Sequence, residues 1–380
     1  MTKANINPEI LTWARERLGL SVSEFAAKLG KKEAQLLAWE GGSRPLTFKQ
    51  AMTFAEKAYI PFGYLFLSSP PVEELPLPDL RTVDGEGVKR PSAELLDLIK
   101  LMLQRQAWYK DYLKQQLVEV NPIVGRFSKR LDVNEIVADM RLKLGVADHP
   151  SRGNWEEYYR DLVARIEALG ILVMRQSDLG HFTRPLQVSE FRGFAITDEF
   201  APMVFVNQAD APGARLFTLI HELCHIWIGQ SGISDGDAQN QRQEEVLCNA
   251  VAAEFLVPEA EFIDLWRTDV ANWKENLAVL EAHFHVSKWV LARRALTCGY
   301  ITHREYVQFI TDEKEAHKNR EASGSGGPTY YRTKKAQISQ RFSEAVVSQA
   351  LNGQMMLREA AQLLGMKPAH IAKFAEELKV

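Results

Sequence analysis

The stretch "RLFTLIHELCHIWIGQ", residues 215–230, sets His221, Glu222 and His225 in the middle of an apolar run. Burying two imidazoles and a carboxylate is costly unless something pairs with them. Two readings follow: a core packed around satisfied polar groups, or an apolar wall built to hold a site. His221 and His225 stand four apart, so on a helix both side chains leave the same face one turn from each other. Two imidazoles need that spacing to reach one metal ion, and Glu222 beside them can address a water on the same ion. With nine histidines in the chain, a chance HExxH string is expected on the order of 0.01–0.02 times.

A metal site needs a third ligand. One peptidase class takes a histidine six residues beyond the second, after a glycine at the third, but here Ile228 and Ser231 occupy those places. The other common source is a carboxylate on a following helix. Glu245, 20 residues after His225, opens "EVLCN", and Asn249 lies one turn further on the same face, placed to orient a ligating imidazole. Glu244, about 100° away around the helix, and the more distant Glu254 are its rivals.

The rest of the chain divides into modules. At 380 residues two or three domains are expected, and 46% hydrophobic with 25% charged residues is an ordinary globular composition. No run reaches about 18 apolar residues, so no membrane segment is expected. Three cysteines give no disulfide framework and point to the cytoplasm. The net charge of −3 conceals basic ends: +3 over residues 1–70 and +4 over 329–380, with −10 between them. Residues 1–67 read as short helices broken by Gly30 and "GG", with Ser21 and Glu24 forming a capping box. A connector and helical linker spans 68–128, Pro-rich over 68–82, with Trp108, Tyr109 and Tyr112 spaced for packing. Over 129–315, two amphipathic helices lead to the β-rich pieces "ILVMR", "FRGFAIT" and "APMVFVNQ", which feed the histidine-bearing helix and further helices. A linker by composition covers 316–330, and 331–380 is helical, its end looking like a second helix–turn–helix pair.

Two resemblances follow from these motifs. "EFAAKLG…LLAWEGGSRPLTFKQAMTFAEKA" resembles the Cro/C1-type (XRE) helix-turn-helix family, which implies DNA contact through Lys31, Lys32, Gln35 and Arg44, and pairing as a homodimer. The match departs from that pattern at Val22, where a phosphate-binding Gln is common, and at Leu37, where a small polar residue is common. A protein-docking role is the rival for this module.

"RLFTLIHELCHIWIG" and "EEVLCNAVAAEFLVP", preceded by "FRGFAI" and "MVFVNQ", resemble the ImmA/IrrE family of zinc metallopeptidases. That resemblance implies a mainly α, multidomain chain with an α+β zincin-like, gluzincin-type domain. It implies Zn2+ on His221, His225 and Glu245, a water in the open position, and Glu222 as general base. The activity implied is a hydrolase, an endopeptidase of narrow specificity cutting a repressor-like regulatory protein. The alternative is a non-catalytic transcription regulator or antitoxin-like protein, as in toxin–antitoxin pairs, whose zincin domain binds a partner. "FRGFAIT" or "MVFVN" is expected to offer a strand edge to an extended peptide. Cys224, where the family has Gly, and Cys248 read as small packed residues. The remaining histidines, including "HFH" at 283–285, lack ligand spacing.

Overall fold

A computed structural model describes residues 6–77, 91–129, 131–180, 183–234, 243–318 and 330–379. Most of the 316–330 linker, the end of the Pro-rich connector and His181 lie outside those residues. The chain forms two compact units, the first from residues up to 76 together with a segment ending at Lys100, the second from most of the remainder.

In the first unit, α1 (Pro8–Arg17), α2 (Val22–Leu29), α3 (Glu33–Glu40) and α4 (Phe48–Ala58) enclose Ile10, Leu11, Phe25, Leu36, Trp39 and Phe54. Local chemistry sets the boundaries. Ser21 and Glu24 form the expected capping box, Thr47 and Gln50 form a second, and Gly30 ends α2 in the left-handed conformation. Arg17 bridges Glu73 and Asp97, and Lys100 reaches Glu73 at 2.5 Å, tying the following segment to α1. The opening residues of α5 (Ala93–Gln115) belong here; its later turns belong to the second unit.

The second unit is built on a four-stranded sheet of order β1-β3-β2-β4, comprising β1 (Leu172–Gln176), β2 (Gly193–Ile196), β3 (Met203–Asn207) and β4 (Gly232–Ser234). β1 runs parallel to β3; β2 is antiparallel to both β3 and β4. The expectation that β2 or β3 would offer a free edge is corrected: both are interior, with their backbone groups spent on neighbours. The three-residue β4, too short to carry a period-2 pattern, takes an edge instead. Helices α6 (Val133–Leu144) and α7 (Trp155–Ala168) precede the sheet, α8 (Pro212–Ile228) packs across β2 and β3, and α9 (Gln243–Leu256) packs against α8 and α6. Then follow α10 (Glu259–Leu265), α11 (Glu275–Phe284), α12 (Lys288–Thr297) and α13 (His303–Lys318). α10 begins directly after Pro258, where Pro closes one helix and caps the next.

The C-terminal helices α14 (Tyr330–Gln337), α15 (Gln340–Leu351), α16 (Leu357–Leu364) and α17 (Ile371–Leu378) belong to this same unit. α14 lies on β1, the Glu167 carboxylate accepts from the Gln340 amide, and buried Arg105 donates to the Leu363 carbonyl at 2.8 Å. Trp108 and Tyr109 meet Phe342, so the aromatic stripe of α5 is packing surface. Among the described residues no helix is long and apolar enough to cross a membrane.

Candidate metal centre

α8 carries the apolar run of 215–230, and the alternatives for that run are decided by what its polar residues face. The helix starts at Pro212, whose missing N–H costs nothing in a first turn, and ends at Gly229 with φ 75°. A side chain at Gly229 would be strained there and would meet the Gly125 backbone at 2.8 Å. The Gly125 and Phe127 amides donate to the Ile226 and Trp227 carbonyls, fixing the end of the helix. Leu219, Leu223, Ile226 and Trp227 are in the core.

α9 brings Glu245 to the two histidines. Its Oε2 lies 3.1 Å from His221 Nε2 and its Oε1 3.2 Å from His225 Nε2, while the two Nε2 atoms are 3.3 Å apart. His221, His225 and Glu245 are all buried, and they are the group among the described residues whose ligand atoms converge tightly enough to share an ion. Of the rivals, Glu244 is half-buried outside this group, and Glu254 pairs with Arg294 at 2.6 Å.

The donor set fits zinc. A tetrahedral ion bound at about 2.0–2.1 Å holds its ligand atoms roughly 3.3–3.4 Å from each other, close to the separations seen here. Proton placement points the same way. Asn249 Oδ1 is 3.1 Å from His221 Nδ1 and accepts a hydrogen bond from its N–H, leaving the Nε2 lone pair directed at His225 and Glu245. A lone pair facing a carboxylate needs a cation between them, either a proton or a metal. Burial alone would raise the Glu245 pKa, but the imidazoles of His221 and His225 against it hold it well below the carboxylate range. Burial lowers the His225 pKa, partly countered by Glu245, and so favours the neutral imidazole that metals bind.

Glu222 sits on the adjoining face. It is 0% exposed and neither oxygen has a hydrogen-bond partner at ordinary geometry; the nearby Ser234 hydroxyl donates to Glu245 at 3.4 Å. Burial first, then the charge of Glu245, push its pKa well above normal; only Ser234 pulls the other way. Gly193 of β2 lies directly against it: a Cβ there would fall 2.8 Å from Glu222 Oε1, 2.6 Å from Thr218 Cγ2 and 2.8 Å from the Phe205 carbonyl. Gly193 and Ser234 escape sequence reasoning, since a strand glycine and a three-residue strand carry little signal; the glycine of "FRGFAI" was the one available hint.

The other sequence expectations fall as follows. Cys224 and Cys248 are fully buried free thiols, and burial together with Cys224 pushes the Cys248 pKa well up. His283 bonds Glu261 at 2.7 Å and His285 bonds the Gly153 carbonyl at 2.9 Å, both away from the centre. Lys31, Lys32 and Arg44 are exposed and Gln35 half-buried on the first unit. Leu36 belongs to the core of that unit, whereas Leu37 is 53% exposed beside those polar groups.

Two family models match parts of the chain. Residues 338–377 match a domain of unknown function, DUF8813, which covers α15 to α17. No curated protein matches the chain. Residues 166–296 match the model described as the IrrE N-terminal-like domain, Peptidase_M78. Every residue of the three-ligand cluster thus lies in a stretch that matches a zincin-like metallopeptidase family.

Proposed function

We propose that the chain is a zinc-dependent endopeptidase of narrow specificity, acting in the cytoplasm on a regulatory, repressor-like protein. The convergence of His221, His225 and Glu245 around one point, with Glu222 buried and unpaired beside it, carries this reading. Zinc held there supplies a positive charge that polarises a peptide carbonyl and activates water. Asn249 fixes the tautomer and orientation of His221. Glu222 accepts a proton at its free carboxylate and returns it to the departing amine, as a general base and then acid. A purely structural ion would need no such carboxylate. The outer edge of β4, beside Ser234, is where an extended peptide would lay its backbone.

The first unit serves recruitment in this reading. Phe48, Met52 and Phe66 are about half exposed, and the Phe48, Phe62 and Phe66 rings contact one another in sequence. An exposed apolar group of this kind favours a protein partner over a phosphate backbone. Operator binding through Lys31, Lys32, Gln35 and Arg44, as a homodimer, is the second reading. Salt-dependent binding of the full chain to its own promoter would favour it.

The test is Glu222→Gln. Zinc content should be unchanged while cleavage of a co-expressed repressor stops. Unchanged cleavage would remove Glu222 from the chemistry, and partner binding with no cleavage by the wild-type protein favours the non-catalytic regulator.

A further inference from the structure

Away from the metal centre, four polar groups able to donate hydrogen bonds lie without acceptors where α7, β1 and the first turns of α8 meet. Trp155 and Tyr159, one turn apart on α7, stack with centroids 4.8 Å apart and planes 13° from parallel. The Arg215 guanidinium lies 4.9 Å from the Trp155 ring centroid, and that of Arg175 on β1 lies 5.8 Å from the Tyr159 centroid. Arg175 Nε, Arg215 Nε, Trp155 Nε1 and Tyr159 Oη are each buried without an acceptor, and the side chain beside the Tyr159 hydroxyl is the Arg175 guanidinium, itself a donor. Tyr159 is 5% exposed, so its hydroxyl is shut off from bulk water.

No carboxylate among the described residues pairs directly with either guanidinium; Asp210 acts on Arg215, and Glu167 on Arg175, only through their fields. Asp210 is engaged by Arg192 at 2.8 Å and by the Ala211 amide, and Glu167 by the Gln340 amide. Glu156 on α7 is exposed and acts only through its field. Arg215 also stands at the N-terminal end of α8, where the helix dipole already presents positive charge. Stacking on aromatic faces offsets the charges in part but supplies no acceptor atom.

We propose that this cluster binds a small oxyanion of the phosphate class, at a site separate from the metal centre. A dianion balances two guanidinium groups, and its several oxygens can serve the Arg forks, the Tyr159 hydroxyl and the Trp155 indole together. A monocarboxylate, with one charge and two oxygens, would leave an arginine unbalanced. The half-buried arginines give the anion its route in from solvent.

The experiment uses the full chain stripped of metal by a chelator, so that phosphate has no zinc to bind. Inorganic phosphate is titrated at constant ionic strength while thermal unfolding is followed, with chloride as control and glycerol phosphate as a monoester probe. The expected result is a saturable rise in Tm with phosphate but not chloride, with Arg175→Met and Arg215→Met weakening apparent affinity about tenfold or more. Tighter binding of glycerol phosphate than of phosphate assigns the site to a phosphorylated small molecule; equal binding assigns it to free phosphate. If the arginine variants fail to fold, Tyr159→Phe removes only the hydroxyl and should still weaken phosphate binding several-fold. A rise shared by chloride, or one unchanged in Tyr159→Phe and in a folded Arg215→Met, overturns the proposal. Glu245→Ala should leave the effect intact, which keeps this result independent of the peptidase reading.

Discussion

Replacing Gly193 by alanine tests how Glu222 is held. The added methyl would sit 2.6 Å from Thr218 Cγ2 and 2.8 Å from both Glu222 Oε1 and the Phe205 carbonyl. Carbon atoms in contact prefer about 3.5–4.0 Å, so each approach is short by roughly 1 Å. Thr218 can turn and Glu222 can be pushed aside, but the Phe205 carbonyl belongs to β3, hydrogen-bonded on both sides. The sheet and α8 must therefore move apart or the carboxylate must move. Overpacking of this kind costs about 1–3 kcal/mol, which lowers Tm by several degrees in a unit of this size. Displacing the base should reduce kcat about 10–100-fold, since each 1.4 kcal/mol of lost transition-state stabilisation is a factor of ten. Zinc content should be nearly unchanged, because no atom of His221, His225 or Glu245 is among those nearest the added methyl. The assay combines thermal unfolding, metal analysis and turnover of a cleaved substrate. Thr218→Ser in the same chain removes one of the three clashes and should recover part of the Tm. A Gly193→Ala protein with wild-type Tm and wild-type turnover would refute the contact on which this reasoning rests.

Other consequences follow from the same geometry. Asn249→Ala frees the His221 tautomer and should weaken zinc affinity about 10–100-fold, measured by competition with a chromogenic chelator. Glu261 bears on stability against pH. Burial would raise its pKa, yet Arg152 and then His283 bring it down to about 2. A depressed carboxylate contributes stability above its unfolded value near 4.5, lost as pH falls towards 2, so Glu261→Gln should flatten the pH dependence of Tm in that window. Glu222 has the opposite sign: its raised pKa in the metal-free protein makes stability fall as pH rises beyond the unfolded value, so metal-free Glu222→Gln should gain Tm over wild type near neutral pH.

The helix of the metal centre is legible in the sequence because its spacing is local. Residues four apart on one helix share a face wherever that helix lies, and an i+4 partner makes Glu245 and Asn249 readable as a pair. Non-local features leave weaker traces. Gly193 touches Glu222 across 29 positions, and Ser234 reaches Glu245 from a strand too short to show alternation. The interior places of β2 and β3 depend on pairing partners, which residue composition does not reveal, so an expected edge proved to be enclosed on both sides. The C-terminal helices announce their periodicity but not their seat: Arg105 and Leu363, 258 residues apart, meet through tertiary packing alone.

Metal analysis of protein purified without a metal-binding tag tests the central claim most directly. The account predicts about one zinc per chain for the wild type, and loss or strong weakening of that zinc in Glu245→Ala with the fold retained. Absence of zinc after incubation with the metal, or undiminished affinity in Glu245→Ala, would contradict it.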